Sequence, residues 1–124
     1  MAWTNDSETT LDDVKQAIRQ FTDERDWRQF HDLKNLAMAI AGEAAELMAH
    51  FRWTDVATSG DVLKDAALAV EVEHEAADVL LLLAEFANVA GIDLARAVER
   101  KMRLNAERYP VEKARGTATK YDRL

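Results

Sequence analysis

Proline is almost absent from this chain, and its absence constrains the fold more than any other feature. The 124 residues contain one Pro and four Gly. These two residue types are the main interruptions of helices, whereas Ala and Leu, which recur throughout the sequence, are strong helix formers. The sequence therefore predicts an all-α protein in which long helices are joined by few turns.

Apolar periodicity and capping signals divide the chain into four helices. The predicted ranges are 10–25, 32–52, 62–90 and 93–109, followed by a tail, 111–124, without a clear period. Thr10 and Asp13 have the spacing of an N-terminal capping box. Gly91 suits the left-handed position after a helix, Asp93 can cap the next helix, and Pro110 stops it. One domain covering residues 1–124, folded as an antiparallel four-helix bundle, is the simplest architecture.

Composition excludes several classes of function. The net charge of −7 argues against a surface for long nucleic acid, because such binding needs many Lys and Arg residues. Without Cys, neither disulfides nor thiolate chemistry is available. The sequence has no apolar run long enough for a membrane span, and its first residues do not resemble a signal peptide. We therefore expect a cytoplasmic protein that does not bind membranes.

The run Val79–Ala84 is apolar on every side of its predicted helix. One small bundle cannot cover such a surface alone, so the run predicts burial against other subunits. We expect a homo-oligomer.

Two acidic doublets are the most informative feature of the sequence. Glu43 and Glu46 lie three residues apart on the second predicted helix, and Glu75 and Asp78 are spaced in the same way on the third. Residues three apart share a helix face, and Ala residues between them leave the carboxylates accessible. An ordinary solvated face is the alternative interpretation. However, Glu43 falls between Ile40 and Leu47 in the apolar core series of the second helix, where acids of one sign are costly to bury without a cation.

Carboxylates alone suit a hard cation, and Mg²⁺ is usually held by a few carboxylates together with substrate phosphates. We predict that the four acids bind Mg²⁺, with Mn²⁺ as a possible substitute. The bound metal would polarise a phosphate and position a water, and Glu46 is our candidate for the group that accepts the proton of that water.

The pattern ExxE, a spacer of residues 47–74, then ExxD resembles the all-alpha nucleoside triphosphate pyrophosphohydrolases of the MazG-like superfamily. The resemblance extends from Ile18 to the end of the chain. Within the superfamily, the sequence resembles the dCTP pyrophosphatase branch. The further motifs that carry it are Arg25-Asp-Trp-Arg-Gln-Phe-His31, Asn35-Leu36, Gly42-Glu43, Phe51-Arg-Trp53, Lys101-Met102, Asn105, Arg108-Tyr-Pro110 and Lys120-Tyr121. Two positions depart from the pattern, because Leu82 stands where relatives can carry Tyr, and Arg19 where they can carry His.

The resemblance implies a hydrolase that releases a nucleoside monophosphate and pyrophosphate, with dCTP or modified dCTP as substrate and nucleotide-pool sanitation as its role. Hydrolysis of dUTP or of a broad range of triphosphates is the alternative. The resemblance also implies a homotetramer, a dimer of dimers, in which Trp27 or the tail around Lys120 and Tyr121 reaches a neighbouring site.

Candidate substrate contacts lie outside the acidic doublets. Lys101, Asn105 and Arg108 share a face of the fourth helix. The resemblance implies that Lys101, Arg108 and Tyr109 bind the phosphates. It also implies that Asn105 and His31 contact the base or sugar. Trp27 and Trp53 flank the second helix and can stack on a base, although a role as a core or interface anchor is equally compatible with the sequence.

Two rival functions remain open. A di-iron carboxylate protein is also a helical bundle with inward acids, and Glu71 and His74 form one ExxH, but such a site needs a second ExxH that this chain lacks. A helical module that binds a partner through Val79–Ala84 would explain the apolar run but not the acids.

Overall fold

The structure is a computed structural model that describes residues 3–124, and all regular structure within that range is helical. The prediction of an all-α protein is confirmed. The α-helices are α1 (Leu11–Glu24), α2 (Leu33–Ala49), α3 (Ala66–Ala90), α4 (Leu94–Arg108) and α5 (Val111–Ala114). Short 3-10 segments occupy Arg28–Phe30, Val56–Lys64 and Tyr121–Arg123.

The helix ends use the capping residues expected from the sequence. At the start of α1, the Thr10 side chain accepts a hydrogen bond from the Asp13 N–H, and the Asp13 carboxylate accepts one from the Thr10 N–H. These hydrogen bonds, the backbone one first, lower the pKa of Asp13. Gly91 ends α3 at a φ of 69°, in the left-handed region that favours glycine. Asp93 accepts from the Arg96 N–H and begins α4.

Two helix boundaries differ from the predicted ones. The third helix begins at Ala66 rather than residue 62, because the Asp65 carboxylate accepts hydrogen bonds from the N–H groups of Ala67 and Leu68 and caps the helix there. The second helix ends at Ala49 rather than residue 52, and the chain continues as a turn. The predicted tail contains α5 and the last 3-10 segment.

The chain divides into two compact units at Gly91. In the first unit, α3 packs against both α2 and α1. Its buried apolar side chains are those of Leu36, Ala84 and Ala87, and two buried polar residues, Thr22 and Glu85, accompany them. The second unit, Ile92–Leu124, contains α4, α5 and the last 3-10 segment. The antiparallel four-helix bundle stays a prediction.

Among residues 3–124, no helix combines the length and the apolar character needed to cross a lipid bilayer.

Candidate metal centre and adjoining pocket

Three carboxylates meet where α2 packs on α3. Glu43 comes from α2, and Glu75 and Asp78 come from α3, where their spacing of three places them on one face. Each offers one oxygen atom, and these three atoms all lie within 4.8 Å of one another. Such a set of oxygen donors, with room for water and phosphate ligands, fits a small hard cation such as Mg²⁺.

The electrostatics of the cluster also favour a cation. The pKa of Glu43 is raised above its ordinary value, first by burial and then by the negative charge of Asp78. The nearby carboxylates of Glu75 and Glu46 raise it further. The folded chain therefore holds several like charges together, and a divalent cation among them would relieve their repulsion.

Glu46 occupies a different position from the other three predicted acids. It is exposed on α2, one turn beyond Glu43, and lies outside the group of three gathered oxygen atoms. Its charge nevertheless acts on Glu43. Glu46 is therefore a neighbour of the cluster with an accessible carboxylate.

His50 borders the cluster and was not among the predicted site residues. Its Nε2 lies 4.0 Å from an oxygen of Glu75, and its Nδ1 lies 4.0 Å from one of Glu71. The signal that would have identified it is helical spacing, since it follows Glu43 by seven residues and Glu46 by four on the same face of α2. His50 therefore lies beside Glu75 at the edge of the cluster.

An apolar pocket of about 450 Å³ adjoins the cluster. Its wall includes two of the acids, Glu43 and Asp78, and two residues predicted to contact the base or sugar, Trp27 and His31. The remaining lining residues are Trp3, Ala17, Ile18, Phe21, Thr22, Leu81 and Leu82. The structure thus brings Trp27 and His31 to the same cavity as the acids, and its volume is in the range typical of small-molecule sites.

The aromatic side of this pocket is built by edge-to-face contacts. The ring of Trp27 meets that of Phe21 at a centroid distance of 5.7 Å and that of His31 at 6.4 Å. Phe21, which was not a predicted site residue, is 43% exposed and lines the cavity. Leu82, one of the two departures from the family pattern, lines the pocket with an aliphatic side chain, whereas a Tyr would add a hydroxyl.

The other predicted substrate contacts lie elsewhere in the chain. Trp53 follows α2, is 88% exposed, and has the Arg52 guanidinium 5.6 Å from its ring centroid. It is not part of the pocket wall. In the second unit, Lys101 is exposed on α4, and Asn105 is half-buried and accepts a hydrogen bond from the Tyr109 N–H.

Within the second unit, Arg108 and Tyr109 are held by the end of the chain. The Arg108 guanidinium lies 4.5 Å from the ring centroid of Tyr121, and the Tyr109 ring meets Tyr121 edge to face at 5.9 Å. The Lys120 ammonium lies 5.9 Å from the same ring. Tyr121 therefore packs against two residues predicted to bind phosphate.

Comparisons with known proteins identify the family of this chain. A family model described as the MazG-like family matches residues 38–124, which include all four acids. The chain is 40% identical over 117 residues to dCTP pyrophosphatase 1 of Rattus norvegicus, covering 94% of this chain and 69% of that protein. The Homo sapiens protein of the same name is 37% identical with the same coverage. The crystal structure of a pyrophosphatase from Archaeoglobus fulgidus DSM 4304 matches with a TM-score of 0.75 and 36% identity, covering 89% of this chain and 98% of that one. On sequence and structure together, the chain belongs to the MazG-like family.

Proposed function

We propose that this chain is a nucleoside triphosphate pyrophosphatase that hydrolyses dCTP to the monophosphate and pyrophosphate with the help of Mg²⁺. One observation carries the proposal. The three gathered carboxylates border the pocket that also contains Trp27 and His31. A metal site for phosphates and a cavity for a base therefore adjoin, and relatives that share 37–40% identity are named for dCTP pyrophosphatase activity.

Glu43, Glu75 and Asp78 would hold the metal, and Glu46 is the fourth candidate ligand. A bound Mg²⁺ or Mn²⁺ supplies charge that neutralises phosphate oxygens and lowers the pKa of a coordinated water. The three carboxylates are already close enough to share a cation without a large rearrangement. The Nε2 of His50 lies 4.0 Å from an oxygen of Glu75, at the edge of this set.

The chain's own side chains then bind and orient the nucleotide. Trp27 offers an indole face to the base, and the apolar wall of α1 and α3 excludes water from it. His31 contacts the base or sugar. In the hydrolytic step, the oxygen of a water bonds to the α-phosphorus, the bond from that phosphorus to the pyrophosphate oxygen breaks, and Glu46 accepts the proton of the water. Its exposed carboxylate beside the cluster suits this role.

Other contacts in the proposal depend on the family resemblance. Lys101, Arg108 and Tyr109 would bind the phosphates, and Asn105 and Trp53 the base or sugar. The contacts of Arg108 and Tyr109 with Tyr121 support their role, because they reduce the freedom that binding would have to remove.

We also propose a homo-oligomer, a tetramer built as a dimer of dimers, of subunits that each fold as one antiparallel four-helix bundle domain. Leu80 and Leu83, within the apolar run Val79–Ala84, are 44% and 39% exposed, so apolar surface remains for a second copy to cover. A cytoplasmic location fits a role in sanitation of the nucleotide pool.

Pyrophosphate release from each of the eight common ribo- and deoxyribonucleoside triphosphates, with Mg²⁺ and with EDTA, tests the proposal. We expect the highest kcat/KM with dCTP, and no turnover in EDTA. Asp78→Asn should abolish release while the far-UV circular dichroism spectrum stays helical. A preference for dUTP would show that the alternative substrate is the correct one. A purine preference would overturn the substrate assignment, and turnover by Asp78→Asn would overturn the proposed site.

A further inference from the structure

A buried carboxylate lies behind His31. Glu85, on α3, is 2% exposed, and its Oε1 is 3.7 Å from the Nδ1 of His31. This Nδ1 is itself buried, and among the described residues no group accepts or donates a hydrogen bond to it. The imidazole therefore presents one nitrogen to Glu85, at a distance slightly too long for a hydrogen bond.

Asn88 fixes the position of this carboxylate. Its side-chain amide donates to the Glu85 Oε2 at 3.3 Å and to the backbone oxygen of Lys15 at 2.8 Å. Lys15 lies on α1, the helix that supplies Ile18 and Phe21 to the pocket wall. Asn88 therefore ties the carboxylate to the same two helices that enclose the pocket.

A polar cavity of about 300 Å³ lies on the Glu85 side of His31. Glu85 and Asn88 line it together with Arg19 and Arg28, and the Arg28 guanidinium is already paired with Asp23 at 2.6 Å. His31 is shared by this cavity and the apolar pocket. His31 thus lies between a polar, charged cavity and a mostly apolar pocket.

A buried carboxylate is costly unless it is paired or accepts hydrogen bonds. Asn88 provides one hydrogen bond, and the facing imidazole nitrogen is the group that can provide a second. A carboxylate that accepts from one nitrogen of a histidine fixes both the orientation of the ring and the nitrogen that carries the proton. The other nitrogen, Nε2, is then the one left for a ligand in the apolar pocket.

We propose that Glu85 is a positioning residue, which acts through the Nδ1 of His31 to aim its Nε2 at the bound nucleotide, and that Asn88 holds Glu85 in place. The inference rests on the proposed function. Glu85 and Asn88 belong neither to the acidic doublets nor to the family motifs. The 3.7 Å contact shortens to a hydrogen bond when a nucleotide fills the pocket, as contacts in unliganded sites often do. Glu85 follows Asp78 by seven residues, a spacing that places both on the same face of α3.

The first experiment measures steady-state kinetics of Glu85→Gln, which keeps the shape of the side chain. Loss of one oriented contact to the substrate should raise KM for dCTP about tenfold and change kcat by less than about twofold. Glu85→Asp, which keeps the charge, should recover part of the loss. Glu73→Gln, an exposed position on the same helix, is the matched control and should leave both constants unchanged.

A double-mutant cycle with His31→Ala separates positioning from a general structural effect. If Glu85 acts through His31, then Glu85→Gln raises KM in the wild-type background but not in the His31→Ala background. An equal rise in both backgrounds, or no rise in either, overturns the proposal.

A measurement without nucleotide distinguishes failure of this inference from failure of the proposed function. Long-range ¹H–¹⁵N spectra of the whole protein report which nitrogen of His31 carries the proton. Glu85→Gln should change the His31 nitrogen shifts and leave those of His74 unchanged. If the wild type hydrolyses no triphosphate but this change occurs, the proposed function fails and the Glu85–His31 contact stands. If the His31 shifts do not respond, the contact is refuted whatever the activity.

Discussion

Carboxylate oxygens of Glu43 on α2 and Glu75 on α3 lie within 4.8 Å of each other across the helix interface. Two ionised carboxylates at this distance repel each other. Burial, the charge of Asp78 and this contact therefore all raise the pKa of Glu43. The arrangement is unfavourable for the chain alone, and a cation bound among these carboxylates would offset their repulsion.

The first prediction concerns the stability of the metal-free protein. Because the folded pKa of Glu43 is raised, the folded state binds its proton more tightly than the unfolded state does. Its favourable contribution is complete below the ordinary value of 4.5 and is lost as the pH rises through the folded pKa. The Gln side chain of Glu43→Gln cannot ionise, so the Tm of this variant relative to the wild type should increase from about pH 4 to about pH 8 in EDTA. A Tm difference that does not vary with pH would contradict this prediction.

Mg²⁺ should stabilise the wild type but not variants of the cluster. At a concentration of about 100 times Kd, a ligand that binds only the folded state adds about 2.7 kcal/mol to the free energy of unfolding. We expect the Tm of the wild type to rise with MgCl₂, and that of Glu43→Gln or Asp78→Asn to stay nearly constant. Glu73→Gln, exposed on the same helix as Asp78, should respond like the wild type. If both cluster variants gain as much stability as the wild type, the metal lies elsewhere.

Trp27 should contribute to substrate binding more than to the chemical step. Its ring lines the pocket, and stacking on a base is worth about 1 to 3 kcal/mol. Trp27→Ala is therefore expected to raise KM for dCTP by about tenfold or more, with kcat reduced much less. Phe30→Ala is the aromatic control, since Phe30 is 59% exposed and lies outside the pocket wall. Equal kinetic effects of the two substitutions would show that the loss reflects local unfolding of the segment before α2.

Local patterns predicted the helices well, because helix ends depend on neighbours in sequence. The capping box at Thr10, the left-handed Gly91 and the Asp93 cap are all present. The third helix was predicted to start at residue 62, but the Asp65 carboxylate caps it, and the helix begins at Ala66.

The site was only partly predictable for a related reason. Helical spacing places Glu75 and Asp78 on one face, but the approach of Glu43 depends on how α2 packs against α3. The contact of His31 with Glu85 joins residues 54 positions apart in different elements, and no local pattern encodes it. Helical spacing places Glu85 on the same face of α3 as Asp78. A Glu on a helix is usually solvated, however, so the spacing alone does not predict a buried carboxylate.

The last prediction concerns assembly through the apolar run Val79–Ala84. Ala84 is buried within the chain, whereas Leu80 and Leu83 are 44% and 39% exposed. Because a partner subunit would bury the Leu83 side chain, Leu83→Glu should place a charge in the interface and weaken association. Light scattering should give four times the chain mass of 14.0 kDa for the wild type and a smaller assembly for Leu83→Glu. Val56→Glu is the control, since Val56 is 95% exposed outside the run. A fully active wild-type monomer, or a Leu83→Glu variant with unchanged mass, would show that this face of α3 does not form the interface.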